Sequence, residues 1–392
     1  MHDTNPSSLK AFSSEQVSLP FVLMRGGTSK AVFLRADMLP SDHEKRDALI
    51  LSLFGSPDPR QIDGLGGADL LTSKLAIIGA PSRPGADLDY TFAQVSITEP
   101  VVDYDINCGN ISAAVGAYAI DEGLVAVTEP TTTVRIHNTN TGRILLVTVP
   151  IVEGAAAVEG AYEMHGVPGT GAAIALDFAR TAGGITGSLL PTGNEIDVLK
   201  TEIGEIEATI IDLANLTVFF RAEAVGMAGT ENPDEFTDEH LRSVQAVKVA
   251  AAQLLGVPTD GLTPVPATVS QPVSYVSFAT GREVVSDEVD LVARVIGGRP
   301  AGLHKAYPGT LGACTGVAAL MEGTTVNSVT RRDREDFNQI TIGHTSGVMP
   351  ISVRVDRRGD GWIVAEATYH RTARRLAEGT AYIRASGGQM DK

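Results

Sequence analysis

The sequence predicts an α+β fold of two pseudo-equivalent lobes, each a strongly bent β-sheet around a central helix. Three observations carry this. The chain has 392 residues, 43% hydrophobic, with 41 Gly and 20 Pro, enough for one large fold built from two lobes. Short β-type runs alternate with Gly-, Pro- and Asn-rich turns along most of its length. Three segments of the first half recur in the second in the same order.

The recurrences are specific. Val32-Phe33-Leu34-Arg35-Ala36-Asp37 is echoed by Val218-Phe219-Phe220-Arg221-Ala222-Glu223. NCGNISAAVGAYAIDEGLV (107–125) is echoed by ACTGVAALMEGTTV (313–326), which sets Cys314 against Cys108. VRIHNTNTGRILLVTV (134–149) is echoed by ITIGHTSGVMPISVRV (340–355). The spacing from cysteine to hairpin glycine is 34 residues in the first half (Cys108 to Gly142) and 33 in the second (Cys314 to Gly347). That order and spacing argue for an internal duplication.

Residues 1–17 read as a short disordered tail, 18–185 as the N-terminal lobe and 186–392 as the C-terminal lobe. The boundary falls in the Gly/Thr/Pro-rich stretch 182–194. SLPFVLMRGGTSKAVFLRA (18–36) reads as two strands around a polar turn, which on its own is an ordinary hairpin. A helix from Ser41 to Phe54 follows, with Ser41 as cap and Glu44 at the capping-box position. Leu75 to Ile78 and Tyr90 to Ile97 read as strands, and 133–150 as a hairpin whose His137 is a turn residue. In the second half, 205–223 reads as two strands turning at 213–215. DEFTDEHLRSVQAVKVAAAQLLG reads as a helix stopped by Gly256 and Pro258, and DEVDLVARVIGG as another short helix.

Composition closes off several classes. A formal net charge of -16 argues against nucleic acid or anionic membrane as partner. No apolar run approaches the roughly 18 residues of a membrane span. Two cysteines in so long a chain make no disulfide framework, so a reducing cytoplasm is the expected compartment. Eight histidines without HxH or HExxH spacing signal no metal site, and GLGGAD (64–69) lacks the spacing of a dinucleotide loop. No cofactor is expected.

Chemistry gathers at Asn107-Cys108-Gly109-Asn110, where a polar turn enters a small-residue helix that Gly123 stops. A thiol at a helix N-terminus meets unpaired N–H groups and the positive end of the dipole, which favour thiolate and attract carboxylates. The bland reading is a small buried hydrophobe. Lys74, at the mouth of the strand after Thr72 and Ser73, is either solvated or points into a cleft where burial readies it for proton transfer. Helices starting near Cys108 and Cys314 and facing one cleft would hold a small polycarboxylate. Two opposed thiols would suit racemisation; one lysine with one thiol would suit a 1,3-proton shift. Spacing leaves both open, beside a third reading as a non-enzymatic carboxylate binder.

Motifs across the chain add a resemblance. MRGGTSK (24–30), GSPDPRQIDGLGGAD (55–69) with LTSK (71–74), and FAQV (92–95) lead into NCGN (107–110). HGVPGTGA (165–172), LLPTGN (189–194), HTSG (344–347) and RTARRLAEG (371–379) complete the set. The chain resembles the family of 2-methylaconitate cis-trans isomerase and 4-oxalomesaconate tautomerase, within the diaminopimelate epimerase-like fold. The resemblance implies that Lys74 and Cys108 are the catalytic pair of an allylic proton transfer. It implies that Thr28 and Ser29, with Arg25 and Gly27 of the same turn, hold a substrate carboxylate. Ser73, Asn107, Gly109 and Asn110 would line the same pocket, with Thr315, Gly316 and Ser346 contributed by the second half. Cys314 receives no catalytic role from it.

Two departures stand out. HTSG carries Thr345 where the family has proline, and GADLLTSK lacks the Ser-rich lead of the methylaconitate enzymes. The implied activity is a cofactor-independent isomerase of unsaturated di- or tricarboxylates. 4-Oxalomesaconate is the first candidate substrate and 2-methylaconitate or aconitate the second. The expected partners are that small anion and, for assembly, a second copy as a homodimer.

Overall fold

A computed structural model describes residues 10–13, 15–105, 108–164, 166–298, 301–331, 338–359 and 361–384. It is an α+β fold with a large mixed sheet and few helices. The chain divides into two compact units, one of residues 1–174 and 371–392, the other of residues 175–370.

In the first unit, β1 (Gln16–Gly26) and β2 (Ser29–Arg35) form a hairpin. β3 (Lys74–Gly79) runs parallel to β2, and β4 (Leu88–Val95) antiparallel to β3. β5 (Val102–Asp103) turns back on β4, β6 (Thr131–Asn138) pairs parallel with β4, and β7 (Arg143–Val152) closes antiparallel on β6. Helix α1 (His43–Phe54) joins β2 to β3, and α2 (Gly109–Asp121) joins β5 to β6.

Side-chain alternation assigns the two helices to opposite faces of this sheet. Val32, Leu34, Leu75, Ile77, Ala93 and Val95 form one cluster with Ile50, Leu53 and Phe54 of α1. Their neighbours point the other way, where the Phe33 ring lies 5.1 Å from that of Tyr118 in α2. Strands covered on both sides read as continuous apolar runs, as these do. α2 is buried along nearly its whole length, the mark of a core helix. Gly116 lets it approach β7, since a Cβ there would sit 2.5 Å from Val147.

The second unit repeats the plan. β8 (Asp197–Thr201) precedes a hairpin of β9 (Gly204–Leu213) and β10 (Asn215–Arg221). After α3 (Asp238–Leu255), β11 (Val265–Ser270) runs parallel to β10. β12 (Leu291–Gly297) is antiparallel to β11, and β13 (Gly302–Leu303) antiparallel to β12. After α4 (Gly309–Leu320), β14 (Gln339–His344) pairs parallel with β12. β15 (Gly347–Arg358) then pairs antiparallel with β14, and β16 (Gly361–Arg371), whose last residue already belongs to the first unit, with β15. From hairpin to closing strand the senses match the first unit pair by pair: antiparallel, parallel, antiparallel, antiparallel, parallel, antiparallel.

Four expectations change. DEVDLVARVIGG is not a helix: residues 291–296 form a strand buried on both sides, between β11 and β14. The cap of α1 is Asp42, whose carboxylate accepts from Lys45 N at 2.9 Å, rather than Ser41. The C-terminal strand Ala373–Arg384 belongs to the first unit, not to a C-terminal lobe, because it pairs antiparallel with β1 along its length. The stretch expected to be a disordered tail also contains strand. Lys10–Ala11 pair with Val17 and Ser18, while residues 1–9 and 14 lie outside the described residues.

Candidate active site

The β1–β2 turn is pressed against the start of α2. A Cβ on Gly26 would stand 2.3 Å from the Asn110 carbonyl oxygen, and one on Gly27 would stand 2.2 Å from Asn110 Oδ1. Gly27 also has φ +52, so both space and backbone demand glycine there. Arg25 braces the turn: one guanidinium nitrogen donates to Gly27 O at 3.0 Å, Thr372 O at 2.9 Å and Thr372 Oγ1 at 3.0 Å. Burial, then the charge of Arg374, lowers its pKa. Arg25 is therefore built into the turn.

Asn110 is the second brace. Its Nδ2 donates to Thr28 Oγ1 at 2.9 Å, and its Oδ1 accepts from Arg371 Nε at 2.9 Å. Because Thr28 Oγ1 accepts here, its own O–H is left to donate elsewhere. Ser29 is only 2% exposed, and among the described residues its hydroxyl has no hydrogen-bond partner. In the strand alternation Ser29 shares a face with Ala31 and Phe33, the α2 face. A buried hydroxyl without a partner is costly unless a ligand or water completes it.

Lys74 opens β3 beside Ala31, its parallel partner on β2. Leu75 and Ile77 point to α1, so Lys74 points to the α2 face. It is 7% exposed; its Nζ donates to Gln94 Oε1 at 2.7 Å and lies 5.1 Å from the Phe92 ring centroid. Cys108 is the N-cap of α2, at φ -123 and ψ 98. Its carbonyl accepts from Ser112 N at 3.0 Å and Ser112 Oγ at 3.1 Å, while its half-exposed side chain makes no capping bond. Gly109 is the first helical residue. Asn107 lies outside the described residues.

Ser73 does not join this group. Its parity turns it to the α1 side, where it is fully buried. Its hydroxyl donates to Val95 O at 2.9 Å and accepts from Gln61 Nε2 at 2.8 Å. It fixes the loop before β3 and offers nothing to a ligand.

The second unit corrects the expected pairing of cysteines. α4 begins at Gly309 with Pro308 as its N-cap, so Cys314 sits inside the helix rather than at its start. Gly116 and Gly316 each stand seven residues into their helices and pack against the matching strands, Gly316 against Val353. Aligned this way, Cys108 matches Pro308, Asn110 matches Thr310, and Ala114 matches Cys314. Thr310 Oγ1 even accepts from Asn215 at the β9–β10 turn at 2.7 Å, as Asn110 bonds Thr28. Cys314 is completely buried, and burial pushes its thiol far above the usual range despite bonds to Thr217 and the Leu213 backbone.

Thr315 and Gly316 move with it. Thr315 Oγ1 is buried, donating to Leu311 O at 2.7 Å and paired with Tyr307 OH at 2.7 Å. Gly316 is a helix-to-strand contact, so neither is a ligand group. The Ser346 hydroxyl donates to Lys305 O, and its N–H to His344 Nδ1 at 3.2 Å, which fixes the 344–347 turn. Gln94 and Arg371 carried no role in the sequence reading, although both lie within quoted motifs. Arg371 reaches Asn110 from 261 residues away in sequence.

Among the described residues, no cluster of three or more His, Cys, Asp or Glu is placed to hold a metal ion, and no helix is long and apolar enough to cross a membrane.

The relatives named below place this α+β fold, with its buried lysine on the sheet face that carries α2, among the isomerases. The chain belongs to the family described as PrpF protein, which matches residues 16–384. It is 49% identical over 380 residues to a 3-methylitaconate isomerase of Eubacterium barkeri, covering 94% of this chain and 98% of that one. It is 37% identical over 371 residues to a (4E)-oxalomesaconate Delta-isomerase of a Novosphingobium species, covering 93% and 98%. The crystal structure of a methylitaconate-delta-isomerase superposes with a TM-score of 0.82 at 46% identity, covering 96% and 98%. A hydroxyproline epimerase from Agrobacterium vitis shares the fold alone, with a TM-score of 0.53 at 11% identity over 95% and 94% of the chains.

Proposed function

We propose that this isomerase moves a double bond in an unsaturated di- or tricarboxylate by a cofactor-independent 1,3-proton shift. The observation that carries the reading is the common face: Ser29, Lys74 and α2 with its Cys108 cap all lie on one side of the first unit's sheet. Lys74 removes an allylic proton acidified by a neighbouring carboxylate. The electron pair delocalises into a dienolate, whose charge the α2 N-terminus and the Thr28 and Ser29 hydroxyls stabilise. A proton returned two carbons away removes the extra charge of the dienolate and leaves the carboxylate with its double bond shifted. Cys108 assists the transfer as acid, base or orienting group.

The relative at 49% identity favours a methyl-substituted itaconate as the first substrate to test, ahead of 4-oxalomesaconate and 2-methylaconitate. The two-thiol racemase reading loses its motive with Cys314 sealed inside α4.

The test incubates the protein with 3-methylitaconate, 4-oxalomesaconate and 2-methylaconitate in deuterated water and follows each by proton NMR. Deuterium entering at the γ-carbon with migration of the double bond is the expected result. Exchange at a stereocentre without migration, or no exchange in any of the three, would sink the proposal. Lys74→Ala should lower turnover about a thousandfold or more, within the usual contribution of a general base of roughly 10²–10⁴.

A further inference from the structure

We propose that Gln94 is a positioning residue for Lys74, aiming the amine's lone pair while adding no charge beside it. The inference rests on the reading of Lys74 as the proton carrier. Lys74 and Gln94 are direct cross-strand partners on β3 and β4. Gln94 Nε2 donates to Ser73 O at 2.8 Å and to Leu70 O at 3.2 Å. Both donors of the amide are thereby engaged with backbone carbonyls, so its oxygen can only face Lys74 Nζ, 2.7 Å away.

An amide oxygen accepts and never donates. Protonated or neutral, Lys74 must present an N–H to it, and the neutral amine's lone pair then points away from Gln94. A carboxylate in the same place would fix the same direction, but it would lock the ammonium form by ion pairing. Among the described residues no carboxylate lies within ion-pair distance of Lys74; Phe92 and Gln94 are its close neighbours. The charged or titratable groups on the elements around it include Lys30 and Arg35 on β2, Asp69 in the loop before β3, Asp89 on β4, Asp103 opposite Gln94 on β5, and Cys108 at the start of α2. The Asp69 carboxylate already accepts from Leu71 N at 2.7 Å.

The test compares Gln94→Leu and Gln94→Glu with the unchanged protein and with Lys74→Ala, using 3-methylitaconate as substrate across a pH series. Gln94→Leu should lower kcat about 10- to 100-fold, the scale of a misplaced catalytic group, with KM changed less than about threefold. Gln94→Glu should lose turnover near neutrality and regain it as pH rises, which Gln94→Leu should not do. Equal loss in both variants at every pH would mark Gln94 as merely structural and overturn the inference. So would full turnover in Gln94→Leu while Lys74→Ala is inactive. Full turnover in Lys74→Ala would instead remove the proton-carrier reading, and this inference with it.

Discussion

Pro308 caps α4 at the place where Cys108 caps α2. The duplicated halves are thus chemically unequal. The strand opened by Lys74 in the first unit is opened by Val265 in the second, and no thiol stands at the second helix start. Under the proposed mechanism, proton handling would sit at one helix start rather than at two opposed ones.

The two cysteines should therefore separate cleanly on substitution. Cys108→Ala should lower kcat by about 10²-fold or more, as loss of a proton-transfer group does. Cys314→Ala should keep kcat within about twofold while costing roughly 1–2 kcal/mol of stability through the small cavity left beside Leu213 and Thr217. Steady-state kinetics with chemical denaturation reads both. An inactive but folded Cys314→Ala would restore the two-thiol scheme.

Cys314 also predicts a pH dependence. Its folded pKa is raised by burial, while the unfolded thiol titrates near about 8.5. The folded state holds the proton longer, so this contribution to stability is complete below that value and is lost as pH rises above it. Iodoacetamide at pH 8 should leave Cys314 unmodified in the native protein and alkylate it in denaturant, read by peptide mass spectrometry. Alkylation of Cys314 in the native state would contradict its burial.

Gly27→Ala should be severe. The new Cβ meets Asn110 Oδ1 in a φ +52 backbone. Positive-φ strain and overpacking together cost about 2–5 kcal/mol. A fall in melting temperature with disproportionate loss of turnover is expected, because the same clash displaces Asn110 from Thr28 and Arg371. An unchanged melting temperature would mean that the turn can move aside.

Ser29→Ala should do the reverse. Removing a buried hydroxyl that lacks a partner should leave stability unchanged or slightly improved. If that hydroxyl binds a substrate carboxylate, KM should rise by roughly 10-fold or more, the worth of a hydrogen bond to a charged group at about 1.5–3 kcal/mol. An unaltered KM would show that Ser29 does not touch the substrate.

Local features were legible in the sequence where the signal lay within a few residues. The RGGTS turn, the small-residue helix ended by Gly123 and the strand opened by Lys74 all carry their own patterns. The cysteine pairing misled because ACTG and NCGN share a Cys and a Gly, whereas the packing glycines 116 and 316 set the true alignment. Gln94 and Arg371 act through partners 20 and 261 residues away, at distances no local pattern encodes. Ser73 looked like a ligand group until the parity of β3 sent it to the opposite face. β12 looked helical because Leu, Ala and Arg suit helices, and its burial on both sides is a tertiary property.

The pairing of β1 with Ala373–Arg384 has a consequence for biosynthesis. The second unit is contiguous in the chain, so all its strands leave the ribosome together and it can be completed first. The first unit begins earlier yet must hold β1 unpaired on that side until residues 373–384 have been translated. Lys74 and Cys108 therefore belong to the half of the protein that starts first and is finished last. A nascent chain stalled before residue 373 already carries both residues, but also an open sheet edge available to a second nascent chain.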